Sequence, residues 1–472
     1  MIRRGKHIVA LTAAGVLVLA ACGSDKKESS ATTAAGAVTT ASSVAEATTA
    51  PSATEAPATS TEGTEAATTE APAAEAWKVD TDKCSDADAA NAAITGELKI
   101  GSYQPLSGTP AVAFAPVTDG FKLYIQYAND NNLLDGVKLT LDIKDDQYDP
   151  TQTPGAVSSL IDDGVNMVSG GIGTPNGVAV RDTLNEECIP QLLNLSGDPE
   201  FGDIKEYPWT TGGLVPYDIE SKIYAKKIAE LKPGATVGMF TVNNDFGKVM
   251  GDAFKAAAAE NGLKIVDEQT IEPTDAAPPS NQVGSLASNK PDVVMAIPLG
   301  AQCPTFLKEL ANAKAANSGW TPTVFLTNTC SARLLISALA AGTGDGVYTS
   351  GNGIDPADPK NADLPGMKVF AEQYAKAGLK GDLGFTAVGW SVGEYTVKIL
   401  QEAQKSGTLS RASIINAARN LTFTPDLGRP GTVYKMNGEK DPYPFQSLTV
   451  LQWQEASATY KEIGEQDTSF ES

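Results

Sequence analysis

From about residue 97 onward, short runs rich in β-branched and aromatic residues alternate with longer segments whose apolar residues recur at helical spacing. That alternation restricts the chain to an α/β fold built on parallel sheets. The first strand is expected over 98–103. After a Pro/Ser/Gly turn comes a helix with Val117, Phe121, Tyr124 and Ala128 on one face. The next strand alternates through Val137, Leu139, Leu141 and Ile143. Further strands are expected over 165–168, 191–195, 236–241, 263–266, 292–297, 323–327 and 346–349. Helices are expected over 217–231, 248–261, 304–316 and 367–377, with Gly262 and Gly378 as stop signals. This is more chain than one compact core holds, so two doubly wound parallel-sheet lobes are expected. Ligands of such sheets sit beyond the carboxyl ends of the strands, here the loops after 103, 170, 195, 242, 297 and 327.

The first 76 residues have a different character. Arg3, Arg4 and Lys6 precede an apolar run over 8–21, too short to span a bilayer and of the length of a signal-peptide core. Leu19-Ala20-Ala21-Cys22 closes it and looks like a bacterial lipobox, at which Cys22 would be acylated and the peptide over 1–21 removed. Residues 22–76 are Ala, Thr, Ser, Glu and Pro with almost no large apolar residue, which predicts a disordered spacer. No later segment has 18 consecutive apolar residues, so the expectation is an exported protein, lipid-anchored to the outer face of a bacterial membrane and not spanning it.

Charge and histidine content exclude several functions. Lys and Arg number 36 against 57 Asp and Glu, a net charge of -21, which would repel a nucleic-acid backbone. The single histidine, His7, lies in the segment expected to be removed. A mature chain without histidine excludes Ser-His-Asp and Cys-His machinery and histidine-ligated zinc, and neither catalytic residues nor a cofactor or metal are assigned. A Ser-Lys pair at S-x-x-K spacing occurs at Ser24 and Lys27, inside the spacer, so an extracellular enzyme is the weakest of the alternatives.

Three motifs invite sharper readings. Gly170-Gly171-Ile172-Gly173-Thr174 follows a strand and precedes a helix, but its spacing to Gly177 is not the dinucleotide fingerprint. Asp145, Asp146 and Asp149 cluster at the short spacing calcium favours, without the glycine and distal glutamate of an EF-hand, and read instead as a turn. Gly342 to Gly346 also reads as a turn.

An ordered set of short motifs carries a resemblance. It runs through Lys99-Ile100-Gly101, Pro105-Leu106-Ser107-Gly108, Asp145 to Pro150, Leu160 to Val165, Gly171 to Asn176, Gly197 to Glu200, Asn244 to Gly247, Lys290 to Val294, Gly344 to Tyr348 and Leu427-Gly428. Together they resemble the Leu/Ile/Val-binding, branched-chain amino-acid type solute-binding proteins of ABC importers, with the type I periplasmic-binding-protein fold. The resemblance implies two lobes joined by a three-crossover hinge, the first over 97–213 and 350–432, the second over 214–349 and 433–472. It implies a monomer that captures a small organic solute between the lobes and presents it to an ABC permease; a ligand-sensing module on the same fold is the alternative. The cleft residues it implies are Gln104, Thr174, Asn176, Ser196 and Asn328 as orienting groups, with Phe114, Tyr217 and Phe246 as aromatic cover. By gapless alignment, Asn328 stands where amino-acid binders carry the acid that pairs with the substrate ammonium. This departure argues for a carboxylate, amide or partly apolar ligand over an ordinary zwitterion. With Cys22 lipidated, four cysteines allow three pairings. Cys303 and Cys330 each follow a predicted strand at the cleft end of the second lobe, which would leave Cys84 with Cys188.

Overall fold

The chain lays down β1 (Gly96–Gln104), β2 (Val137–Asp145), β3 (Met167–Ser169), β4 (Gln191–Asn194) and β5 (Thr210–Gly212), which pair in the order β2-β1-β3-β4-β5, every neighbour parallel. Helices cover both faces of such a sheet, so its inner strands are buried throughout: β1 is buried without interruption from Ile100 to Gln104. β2, at the edge, stays half exposed. The computed structural model describes residues 76–471. The expected export signal, Cys22 and all but the last residue of the expected spacer lie outside the described residues.

The second sheet uses β6 (Thr236–Val242), β7 (Lys264–Ile271), β8 (Val293–Ile297), β9 (Thr323–Leu326) and β10 (Tyr348–Gly351), all parallel. After a small antiparallel ribbon, β11 (Thr422–Phe423) with β12 (Tyr434–Lys435), the chain adds β13 (Thr449–Gln454) antiparallel to the edge at β10 and β14 (Thr459–Glu462) antiparallel to β13. The order is β14-β13-β10-β9-β8-β6-β7.

Between the sheets the chain passes three times: from β5 to β6, after β10, and from β12 to β13. The second passage lies against the turn that joins β11 to β12, where the Ile354 N–H donates to Leu427 O at 2.9 Å and the Arg429 N–H to Asn352 O at 2.8 Å. After the second passage the helix Leu383–Lys405 packs along the helix Gly108–Asp130. The two backbones touch because both carry glycine at the crossing: a Cβ on Gly120 would stand 1.9 Å from Thr386 O, and one on Gly389 1.8 Å from Val117 O.

The helix Tyr217–Leu231 has the bounds expected from its periodicity. Others shift for local reasons. The helix Asp245–Glu260 starts three residues before the expected 248, because the Asn244 side chain accepts from the Gly247 N–H and caps it there. The strand expected over 346–349 is displaced to Tyr348–Gly351, since Gly346 turns the chain at φ +75°. The sequence reading named neither the helices Leu383–Lys405 and Arg411–Ala418 nor the three-residue β5.

Disulfides join Cys84 to Cys188 and Cys303 to Cys330. The first holds the segment before β1 against the rest of the fold. That segment is also fixed by its backbone: the Trp77 N–H donates to Asn420 Oδ1 at 3.1 Å and the Val79 N–H to Asn416 Oδ1 at 2.7 Å.

Candidate functional site

Thr174 opens the helix after β3, Ser196 lies in the loop after β4, and Tyr217 opens the helix that leads into the second sheet. Their hydroxyls converge: Thr174 Oγ1 is 2.7 Å from Ser196 Oγ and 3.3 Å from the Tyr217 hydroxyl. Ser196 Oγ also accepts from the Asp198 N–H at 3.1 Å. All three side chains are buried, and burial holds the Tyr217 phenol up to about 12. Gln104 is closed in the same manner, donating to Ser102 Oγ and Gly170 O and accepting from Thr118.

Asn176 donates to Asp146 Oδ2 and Thr153 Oγ1, both at 2.9 Å. Asp146 also receives the Tyr148 N–H, while Asp145 receives the Leu106, Ser107 and Gln147 N–H groups. The acidic cluster therefore fixes the turn after β2 through backbone donors. Asp146 is nonetheless raised to about 6 by burial, those bonds opposing the shift.

Above this layer is a cavity of about 260 Å³. Phe114, Tyr148, Tyr217 and Phe246 line the part nearest the strand ends, with Phe114 stacked on Tyr148 at 6.2 Å and Tyr217 against Phe246 at 5.2 Å. The cavity continues between the chain passages, where Tyr395, Leu427, Phe445, Leu448, Leu451 and Tyr460 line it. Of the eight expected ligand residues, Phe114, Tyr217, Phe246 and Asn328 line the cavity. Gln104, Thr174, Asn176 and Ser196 lie beneath it, bonded to their neighbours.

The structure brings to the cavity several groups that sequence reasoning missed. Glu220, 3% exposed, lines it, and its Oε1 accepts from the Asn328 N–H at 2.7 Å. Arg333 donates to Asp355 Oδ2 through Nη2 at 2.8 Å and Nε at 3.2 Å. Arg429, 7% exposed, reaches Glu462 Oε1 through Nη1 at 2.7 Å, while its Nε–H is buried without an acceptor. Arg333, Asp355 and Arg429 all line the cavity. The Glu220 signal was present, three residues after Tyr217 and so on the same helix face. Arg333, Asp355 and Arg429 come from three distant segments and share no local pattern.

A family model described as periplasmic binding protein matches residues 97–458. The chain belongs to the periplasmic binding protein family. It is 26% identical over 186 residues to the Leu/Ile/Val-binding protein BraC3 of Rhizobium johnstonii and 27% identical over 190 residues to a Leu/Ile/Val-binding protein homolog of Brucella melitensis. These matches take in 38% and 40% of this chain and 48% and 50% of the relatives, so the chain spans about half the length of the curated relatives it matches. Among solved structures it superposes on a branched-chain amino acid ABC transporter protein from Thermus thermophilus with bound valine, with a TM-score of 0.70 at 19% identity over 79% of this chain and 97% of that one. A fatty acid ABC transporter substrate-binding protein from Thermomonospora curvata gives 0.67 at 19% over 79% and 94%. A solute-binding protein from R. palustris in complex with benzoate gives 0.65 at 20% over 78% and 96%. These likenesses establish the type I fold.

In this periplasmic binding protein the charged groups of the cavity carry burial costs. Burial pushes Glu220 up to about 7, opposed by the Asn328 N–H. Burial likewise lowers Arg429 from the ordinary guanidinium range, with Glu462 opposing it. The Cys303–Cys330 bridge braces the loop at residues 328–331, which contributes Asn328, Thr329 and Ser331 to the lining, and Thr329 Oγ1 is buried there without a partner.

Proposed function

We propose that this chain is the solute-binding component of an ABC importer, taking up a small organic molecule with a largely apolar body. The observation that carries this reading is the cavity: about 260 Å³, walled mainly by aromatic and aliphatic side chains with a few convergent polar groups, at the carboxyl ends of strands from both sheets. By proportion with an apolar cavity of about 150 Å³ that accepts benzene, it holds roughly ten non-hydrogen atoms. Valine, benzoate and fatty acid, named for the structural neighbours, are solutes of this kind. The two lobes, first over 97–213 and 350–432, second over 214–349 and 433–472, would close about the three passages, the ligand shifting the equilibrium through contacts made only in the closed form. Binding then requires no bond to break, and a permease is the partner. The lipobox-like Leu19-Ala20-Ala21-Cys22 supports export and a lipid anchor; Cys22→Ser should release the protein from membranes, and retention in high salt would count against the anchor.

A thermal-shift screen of the protein against amino acids, amides, and aliphatic and aromatic acids tests the reading. A solute at 100 times its Kd adds about 2.7 kcal/mol, visible as a rise of several degrees. Absence of any shift, or chemical turnover of a bound compound, would sink it.

A further inference from the structure

Arg333 and Arg429 are the basic side chains that line the cavity among the described residues; Asp355, which bonds Arg333, also acts on Arg429, and Arg429 lies where segments 352–354 and 427–429 pair. Arg429 is buried, yet of its side-chain nitrogens Nη1 bonds Glu462 and Nε has no acceptor. A guanidinium taken out of water with a donor unfilled is costly, and Nε is the Arg429 nitrogen so left. Arg333 has both bonded nitrogens on a single oxygen, Asp355 Oδ2. Leu427, Leu448 and Leu451 also line the cavity, and Leu427 is two residues from Arg429 on the segment whose carbonyl receives the Ile354 N–H. Conditions at the opposite end are unsuitable for an anion. The Thr174, Ser196 and Tyr217 hydroxyls are bonded to one another, and the Glu220 carboxyl lies at Asn328.

We propose that the cavity binds an anionic amphipath, a monocarboxylate whose head sits against Arg429 and Arg333 at the hinge side and whose hydrocarbon body runs along Leu427, Leu448 and Leu451 toward Phe114. The assignment rests on the solute-binding reading above and fixes the ligand's class and direction. Asp355 and Glu462 balance the arginines in the unliganded protein; the ligand carboxylate takes the guanidinium hydrogens those acids leave unfilled.

Calorimetric titration of the full chain with octanoate, 1-octanol and octanamide tests it, since octanoate has about the ten non-hydrogen atoms the cavity holds. Octanoate should bind wild type at least tenfold more tightly than octanol. Arg429→Gln and Arg333→Gln should each weaken octanoate about tenfold or more while leaving octanol within twofold, and retained octanol binding shows that the variant is folded. Should Arg429→Gln not fold, Arg333→Gln carries the comparison. Octanoate affinity that survives both arginine changes, falls in parallel with octanol, or falls instead in Thr174→Val would overturn the assignment. Failure of all three probes, together with a positive amino acid in the thermal screen, would reject the amphipath and leave solute binding standing. Failure of every compound in both experiments would reject solute binding as well.

Discussion

The floor of the cavity is built from uncharged polar side chains and its hinge-side end from charged ones, and the two differ in the hydrogen-bonding capacity each leaves over. On the floor, Thr174, Ser196 and Gln104 bond to neighbouring side chains or backbone, while Asn176 donates to Asp146 and Thr153 and its Oδ1, an acceptor, is buried without a partner. At the hinge side, Arg429 keeps a buried Nε–H with no acceptor, and Arg333 and Asp355 line the cavity. Polar residues at a strand's carboxyl end are thus not equivalent to a binding site. The distinction lies in unfilled hydrogen-bonding capacity, which depends on tertiary neighbours.

The largest effects that separate the two regions are those of the disulfides. Replacing Cys84 and Cys188 by serine opens a loop of 104 residues and should cost about 4.7 kcal/mol of stability by the chain-entropy estimate. The bridge ties the segment before β1 far from the cavity lining, so ligand affinity should not change. Replacing Cys303 and Cys330 opens a loop of 27 and should cost about 3.5 kcal/mol, and it should also weaken ligand several-fold, since the loop at 328–331 loses its brace. Urea denaturation paired with calorimetric titration reads both. Equal affinity losses in the two variants would break the comparison.

Next in size is a pH effect at Glu220. Its carboxyl is raised to about 7 in the folded protein, against about 4.3 in an unfolded chain. Below the unfolded value both states are protonated and no penalty exists. Between that value and the folded one the unfolded chain ionises while the native carboxyl stays protonated, so stability falls with rising pH, by on the order of 3 kcal/mol in all, and levels off once the native group ionises too. Glu220→Gln, which keeps an oxygen for the Asn328 N–H, should remove this part of the decline between about pH 4.3 and 7. Stability measured at several pH values decides it; an unchanged slope would mean that Glu220 is not the titrating group.

Much of the fold was legible because helical and strand periods are local properties. Tyr217–Leu231 and the all-apolar β8 could be read from their own residues. The helix Leu383–Lys405 was not, and it carries Gly384, Gly389 and Gly393, which lower helix propensity in isolation. Their purpose is visible only beside the helix Gly108–Asp130, where Gly389 admits the Val117 carbonyl. The site divides in the same way. Phe114, Phe246 and Asn328 could be placed near strand-end loops and Tyr217 at the start of a helix, and all four line the cavity. The Arg333, Asp355 and Arg429 group depends on three separate segments meeting, which periodicity cannot report. Asn328 itself shows the limit of one-position reasoning: a carboxyl group, that of Glu220, reaches its backbone N–H from the helix Tyr217–Leu231.

The smallest predicted effect is also the most direct probe of the floor. Thr174→Val preserves shape and removes one hydroxyl from the group shared with Ser196 and Tyr217. Ser196 keeps the Asp198 N–H, and the Tyr217 phenol retains Ser196 as a neighbour, so no buried group is stranded. The loss should then be that of an ordinary hydrogen bond, about 1 kcal/mol, read as a small drop in denaturation midpoint at constant m-value. Because Thr174 does not line the cavity, octanoate affinity should stay within about twofold, a change of roughly 0.4 kcal/mol or less. A tenfold loss of affinity at unchanged stability would reverse the roles of the two regions, making the floor the ligand's polar anchor and the hinge arginines purely structural.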